Sequence, residues 1–437
     1  MNLTSHKIRS LNGEIRCPGD KSISQRIIII GSLINCDMKI NGFLQAEDPI
    51  STMNALNEIG ASIKINQDKV FLKKRNIPFK NPTNSLNFGN SGTGSRLLLG
   101  LISGLGLKSN LTGDKSLLKR PMKRVIEPLK EMGALLQSNF GKLPITTQGS
   151  DILDNFEYRM PIASAQVKSC LLLAALASKK NVKIFESKTT RDHTERMIDF
   201  FGGDIIYNDN LNKGEIVLHP STLSPRKLFN IPGDFSSACF IIVASIISKN
   251  SKVLIKNVGL NKTRSGLIDV LRLMGAKIEI LDQRISSNEE VGDILAESSD
   301  LKGINVPEKI IPNIIDEIPI LSIAACFASG ITKITNAAEL RVKESDRLNA
   351  ISFGLKKLHV KHEVFEDGIS ISGTTETINC EEPINSFDDH RIAMSFLIAG
   401  IRSQNFIRVE NCKNIETSFP SFRHIMNSIG MNINEEN

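Results

Sequence analysis

One short pattern, an amphipathic helix that ends on a small residue and runs into a strand, recurs six times in this chain and limits its fold more than any other feature. It reads LNEIGASIKI, LKEMGALLQS, IDFFGGDIIY, LRLMGAKIEI, LKKLHVKHEV and MNSIGMNINE. The turn residues Gly60, Gly133, Gly202, Gly275, His359 and Gly430 follow one another at 73, 69, 73, 84 and 71 residues. A unit of about 73 residues, repeated six times, accounts for the whole chain. Glycine suits the left-handed position just past a helix C-terminus. His359 is the exception, tolerable because histidine visits that region more readily than most residues.

A second element keeps the same phase: a short polar start and then an almost wholly apolar helix. The copies are DKSISQRIIIIGSLI, SGTGSRLLLGLISG, SAQVKSCLLLAALAS, DFSSACFIIVASIIS, DEIPILSIAACFAS and DDHRIAMSFLIAG. Helices apolar all round belong in a core. Each opens with Ser or Asp, which accept hydrogen bonds from the free amides of a helix start. If these helices point the same way, their positive ends converge with Lys21, Arg26, Arg96, Lys168 and Arg391 on an anion-attracting centre. A third element, a strand leading into a charged turn, carries Arg120, Arg191, Arg264, Arg341, Lys343 and Arg347 at corresponding places. The unit therefore reads β-α-β-α-β-β, and six of them predict α/β domains with buried parallel helices and outer sheets.

Composition narrows the function. With 54 Lys and Arg against 47 Asp and Glu the net charge is +7, a mild excess that suits small anions. Only 5% of residues are aromatic and Trp is absent, which argues against stacking on nucleic-acid bases. The 7 cysteines show no paired CxxC spacing, so neither a disulfide framework nor a zinc site is expected, and a reducing cytoplasm fits best. No apolar run reaches the roughly 18 residues a membrane span needs, and the N-terminus shows no export signal.

Clustered Arg and Lys imply a ligand with more than one acidic group, because guanidinium forks and ammonium charges match carboxylates and phosphates. In ELRVKESDRL, Lys343 and Arg347 flank Glu344 as if on one helical turn, holding a carboxylate that can act as acid or base. In DDHRIAM, His390 and Arg391 open a buried helix. NFGNSGTGSR has glycines that let a backbone approach a phosphate, yet it is neither a GxGxxG nor a Walker loop. No HExxH spacing and no GxSxG elbow are present.

Taken with their neighbours, these segments resemble the EPSP synthases of the enolpyruvyl transferase family over nearly the full length. The motifs are PGDKSIS (18–24), GNSGT (89–93), KRPMKRVIEPL (119–129), SAQVKS (164–169), TRDHTERM (190–197), PGDFSSA (232–238), NKTR (261–264), DEIP (316–319), ELRVKESDRL (339–348) and DHRIAMS (389–395). The resemblance implies an inside-out α/β barrel architecture in two similar domains of three repeats each. They would comprise residues 20–232, and 1–19 with 233–437, with the active site in the cleft between them. It implies addition and elimination between shikimate 3-phosphate and phosphoenolpyruvate, in the pathway to chorismate and the aromatic amino acids, by a cytoplasmic monomer without metal or organic cofactor.

Carried over motif by motif, shikimate 3-phosphate should meet Lys21, Ser22, Arg26, Ser164, Ala165, Gln166, Arg191, Asp316 and Lys343. Phosphoenolpyruvate should meet Lys21, Asn90, Gly92, Arg120, Gln166, Arg347 and Arg391. Lys21, Asp316, Glu344 and His390 are the catalytic candidates, and Gly92 lies where the inhibitor glyphosate would be felt. Two residues depart from the family pattern: Gln25 stands where it usually has His, and Thr417 where one branch has a cation, for which Lys168 is the candidate replacement. The related UDP-N-acetylglucosamine enolpyruvyl transferases typically carry a Cys in the loop that here reads GDKSLLKRPM, without one. A nucleic-acid-binding role is opposed by the composition, and a noncatalytic one by retention of Lys21, Glu344 and the arginines.

Overall fold

The computed structural model describes all residues except 67–68, 208–213, 375 and 437. All six predicted turn residues are left-handed, with φ of +57° at His359 and between +71° and +112° at the five glycines. The helices they terminate are Glu47–Glu58, Lys123–Glu131, His193–Phe200, Gly266–Leu273, Arg347–Lys357 and Phe422–Ser428.

The six apolar segments form the inner helices Lys21–Ile34, Gly92–Gly104, Ala165–Ser178, Phe235–Ile247, Ile318–Cys326 and His390–Ala399. Every residue of the last three is buried. Gly92–Gly104 and Ala165–Ser178 approach backbone to backbone: a Cβ on Gly100 would lie 2.1 Å from the Cys170 carbonyl oxygen. Five inner helices are capped as expected by a preceding side chain, from Asp20, Ser91, Ser164, Asp234 and Asp389. The fifth in chain order departs from the rule: its cap residue is Glu317, which makes no side-chain bond to its own helix.

Each repeat owns one sheet, four-stranded in five cases and three-stranded in one. The four-stranded sheets share a plan in which one edge strand is parallel to its neighbour, as Leu86–Asn87 is to Lys108–Thr112. In the three-stranded sheet (Ile331–Ile334, His362–Phe365, Gly368–Ser372), two parallel bridges, Lys302 with Ser329 and Asn305 with Lys333, mark the place of the fourth strand. Among the described residues no strand ladder joins one sheet to another, so the barrel implied by the resemblance is not a closed ring of strands.

Contacts divide the chain into two units. The contiguous one holds Gly19–Ile231 together with Ser286–Glu289, the tip of a hairpin between Lys277–Ser286 and Glu289–Glu297. The other holds Met1–Pro18, Pro232–Ile285 and Glu290–Asn437. Each unit has its own apolar core, one drawn from residues 23–231 and the other from residues 3–17 and 235–433. The start of the chain supplies two strands to the second of these: Asn2–Ser5, and Asn12–Arg16, which lies parallel to Lys252–Gly259. No helix among the described residues is long and apolar enough to cross a membrane.

Candidate active site

In the contiguous unit the starts of three inner helices are tied together by polar side chains. Gln25 Nε2 on the first donates to the cap hydroxyl of the second, Ser91 Oγ, at 2.6 Å. Arg96 Nη1 on the second donates to Gln166 Oε1 on the third at 2.8 Å, and Gln166 Nε2 returns a bond to Thr93 Oγ1 at 3.0 Å. Arg26 on the first reaches Ser169 Oγ on the third at 3.1 Å and Thr194 Oγ1 at 2.8 Å. The predicted convergence of positive helix ends therefore holds within this unit.

Of the predicted ligand-binding residues here, Lys21, Ser22, Arg26, Asn90, Gly92, Ser164, Ala165 and Gln166 lie at or just before these helix starts, whereas Arg120 and Arg191 lie on turns. Lys21 Nζ pairs with Asp48 Oδ2 at 3.1 Å. Arg120 donates to Asn90 Oδ1, and Asn90 Nδ2 donates to Asp114 Oδ2 at 2.8 Å. A Cβ on Gly92 would lie 3.2 Å from Arg120 Nη1, which places that guanidinium beside the glycine. Ser22, Ala165 and Arg191 are half-buried, as is Ser164, whose hydroxyl caps its helix. Asp48 and Asp114 were not singled out from the sequence; the signal, an acidic residue inside a charged turn in each case, was available in INGFLQAED and LTGDKS.

Lys168 does not take the role expected of it. It is fully buried, and Nζ contacts Glu195 Oε1 at 2.7 Å and Glu186 Oε1 at 3.2 Å. Burial opposes its charge, but the two carboxylates outweigh that and raise its pKa. The pKa of Glu195 is itself raised, by burial first, against the pull of Lys168. Glu186 also receives the Thr190 amide at 3.2 Å and its hydroxyl at 2.7 Å, so the triad fixes the residue before Arg191. SAQVK and TRDHTE are thus two halves of one buried ion cluster. Thr417 is likewise turned inward, donating to the Asn414 carbonyl at 2.7 Å.

In the other unit, Arg347 is the organising group. Its guanidinium, fully buried, meets Asp389 Oδ2 at 2.8 Å, Asp316 Oδ1 at 3.2 Å and Glu344 Oε2 at 2.5 Å. Burial works against the charge, but these three carboxylates outweigh it and raise the pKa above the ordinary arginine value. Lys343 Nζ shares Asp316 Oδ1 at 3.4 Å. The segment is not one helical turn: a 3₁₀ turn ends at Val342, and Asp346 caps a new helix beginning at Arg347. Asp346 explains the break, because its side chain accepts from the Asn349 amide. Glu344 nevertheless lies against Arg347, with Asp316 and Glu344 both partly open at 15% and 24%.

Arg391 Nη1 donates to the Asp316 carbonyl at 2.8 Å and to Glu317 Oε1 at 3.2 Å. His390, beside it, is buried at the start of the same helix. Two recurrent turn arginines serve the scaffold: Arg341 binds the Glu366 and Phe365 carbonyls, and Arg264 reaches Asp234 Oδ1 at 3.2 Å. Among the described residues no group of three or more His, Cys, Asp or Glu side chains is arranged to hold a metal ion.

Comparison with known proteins gives one consistent result. A family model described as EPSP synthase (3-phosphoshikimate 1-carboxyvinyltransferase) matches residues 5–426. The 3-phosphoshikimate 1-carboxyvinyltransferase of Petrotoga mobilis is 48% identical over 429 residues, covering 96% of this chain and 97% of that protein. The protein of the same description from Legionella pneumophila is 45% identical over 437 residues, covering 100% of this chain and 99% of the other. Among solved structures, an EPSP synthase from Acinetobacter baumannii superimposes with a TM-score of 0.87 at 38% identity, covering 99% of this chain and 100% of that one.

Proposed function

The chain belongs to the EPSP synthase family, and we infer from that membership that it transfers the enolpyruvyl group of phosphoenolpyruvate to the 5-hydroxyl of shikimate 3-phosphate. The observation that carries the chemistry is Arg347 with two partly open carboxylates, Asp316 and Glu344, on one guanidinium. Neighbouring titratable groups of this kind suit a reaction in which one proton leaves an oxygen while another reaches a carbon.

In the addition step the 5-oxygen bonds to C2 of phosphoenolpyruvate, its proton passes to a base, and C3 gains a proton. In the elimination step C3 loses a proton, the bond from C2 to the phosphate oxygen breaks, and inorganic phosphate leaves with the enol ether formed. Asp316, Glu344, Lys21 and His390 are the groups assigned to carry these protons. Lys21, Asn90, Arg120, Gln166, Arg347 and Arg391 hold phosphoenolpyruvate, with Gly92 at the pocket wall. Shikimate 3-phosphate is held by Lys21, Ser22, Arg26, Arg191, Asp316 and Lys343, and by Ser164, Ala165 and Gln166 at one helix start. Fixed cations at helix N-termini stabilise charge on both ligands without reorganising during the reaction. The protein works as a cytoplasmic monomer and needs no cofactor.

Phosphate release in a coupled assay should require both substrates, and UDP-N-acetylglucosamine should not replace shikimate 3-phosphate. Turnover with the sugar nucleotide instead would overturn the reading. Lys21→Ala and Glu344→Gln should each lower kcat by about a hundredfold or more, whereas Arg191→Ala should chiefly raise KM for shikimate 3-phosphate. A near-normal kcat in Glu344→Gln would remove that carboxylate from proton transfer.

A further inference from the structure

The inner helix Ile318–Cys326 is the one that forgoes a side-chain cap. A helix start without its cap loses stability, and places where a local rule fails are where function is to be sought. Both acidic residues at this start are engaged elsewhere. Asp316 is held by Lys343 and Arg347, and Glu317, fully buried, turns its carboxylate sideways onto Arg391 and Ser236.

Ser236 is the junction of this arrangement. Its Oγ accepts from Arg264 Nη2 at 2.9 Å and from Arg391 Nη2 at 3.2 Å. With both lone pairs occupied by guanidinium N–H groups, the single hydroxyl proton is left to donate, and it goes to Glu317 Oε1. Glu317 Oε1 also accepts from Arg391 Nη1 at 3.2 Å, and Arg264 Nη2 is shared with Asp234 Oδ1 at 3.2 Å. Two guanidinium groups and two carboxylates meet in this buried setting, and each hydrogen bond at Ser236 has a fixed direction. Among the described residues three contacts, to Asp316 O, Glu317 Oε1 and Ser236 Oγ, hold Arg391 through Nη1 and Nη2, and none of them uses Nε or the second Nη2 hydrogen.

We propose that Ser236, Glu317 and Arg264 are positioning residues for phosphoenolpyruvate binding: they touch no substrate, and act by fixing the guanidinium of Arg391. This rests on the assignment of Arg391 to phosphoenolpyruvate above. It gives PGDFSSA, NKTR and the second residue of DEIP one shared task.

The test measures steady-state constants and melting temperature for Ser236→Ala, Glu317→Gln, Arg391→Lys and the double variant Ser236→Ala/Arg391→Lys, in the full chain. Ser236→Ala removes one oxygen, and Glu317→Gln keeps shape and an acceptor while removing charge. Both should raise KM for phosphoenolpyruvate by about tenfold and leave KM for shikimate 3-phosphate within about twofold. The double variant should be little worse than Arg391→Lys alone, since the two changes act through one group. Equal rises in both KM values together with a fall in melting temperature would mark a merely structural role and overturn the proposal. So would additive effects in the double variant, or an unchanged KM in Ser236→Ala and Glu317→Gln while Arg391→Lys raises it. An unchanged KM for phosphoenolpyruvate in Arg391→Lys would instead refute the assignment of Arg391, and the proposal with it.

Discussion

Gly92 and Gly94 stand two residues apart at one helix start and tolerate change very differently. A Cβ on Gly94 would lie 2.2 Å from Thr52 Oγ1 and 2.7 Å from Ser91 Oγ, so Ala there collides with the cap itself. A Cβ on Gly92 would lie 3.0 Å from Arg96 Nη1 and 3.2 Å from Arg120 Nη1, the far ends of flexible side chains that can give way. Gly92→Ala should therefore fold, with its methyl pressed against the two guanidinium groups. With overpacking costing roughly 1–3 kcal/mol where relaxation is blocked, the inhibition constant for glyphosate should rise by a larger factor than KM for phosphoenolpyruvate. Gly94→Ala should lower the melting temperature instead. Equal changes of both constants in folded Gly92→Ala would refute the steric account.

Gln25 answers a question left by the sequence. Its Nε2 lies within reach of three acceptors, Ser91 Oγ, Thr52 Oγ1 and the Asp48 carbonyl, while its buried Oε1 meets no donor among the described residues. A histidine would supply one N–H toward Ser91 and carry no oxygen to leave unmet. Gln25→His should accordingly keep kcat within about threefold, as steady-state assay would show.

Among the elements, helix starts and turns were the most legible part of the sequence. A glycine past a helix end, or an Asp before an apolar run, acts on amides three or four residues away, so its signal is local. Six of six left-handed turns and five of six side-chain caps follow from that. Lys168 was misread for the opposite reason: its partners Glu186 and Glu195 lie 18 and 27 positions along the chain, where no local pattern connects them. The same holds for Ser236 and Glu317, 81 residues apart. Clusters of charge were visible; which cation is neutralised and which faces a ligand depends on long-range packing.

The triad also makes a prediction about this element. Lys168→Met would leave two buried carboxylates facing each other, and breaking a buried ion cluster in this way typically costs about 3–5 kcal/mol. Burial already raises the carboxyl of Glu195 against the pull of Lys168, and in that variant the pull is gone, so its folded pKa lies further above the unfolded value and the native state binds more protons. Stability should then fall as pH rises above the unfolded carboxyl range and up through the raised folded value, and the deficit against the parent should be smaller at pH 5 than at pH 8. Urea unfolding at the two pH values checks this. A deficit that does not change with pH would assign the loss to packing.

At the scale of the whole molecule, burial in two separate cores governs the thiol chemistry. All 7 cysteines are free, and Cys36 alone is half-buried while the others are buried. Burial pushes Cys380 up to about 11 and Cys412 up to about 12. Burial raises the Cys36 thiol as well, but it is the accessible one, so a thiol reagent at pH 8 should label about one group ahead of the rest in the native protein, and Cys36→Ser should abolish that phase. Several fast equivalents would mean that a core opens readily.

The strand Asn2–Ser5 lies between Ile407–Glu410 and Ile433–Glu436, in the interior of its sheet. Its neighbours are separated from it by nearly the entire chain, whereas the contiguous unit draws almost wholly on residues 19–231. On a ribosome that adds ~5–20 residues per second, the first strand waits roughly 20–80 s for a partner, while the contiguous unit can collapse as soon as it emerges. The half built around Arg347 and Arg391 is therefore the late one, sealed by the return of the far end of the chain to its beginning. Moving those first residues to the other terminus by circular permutation would turn the slowest closure in the molecule into one of its shortest.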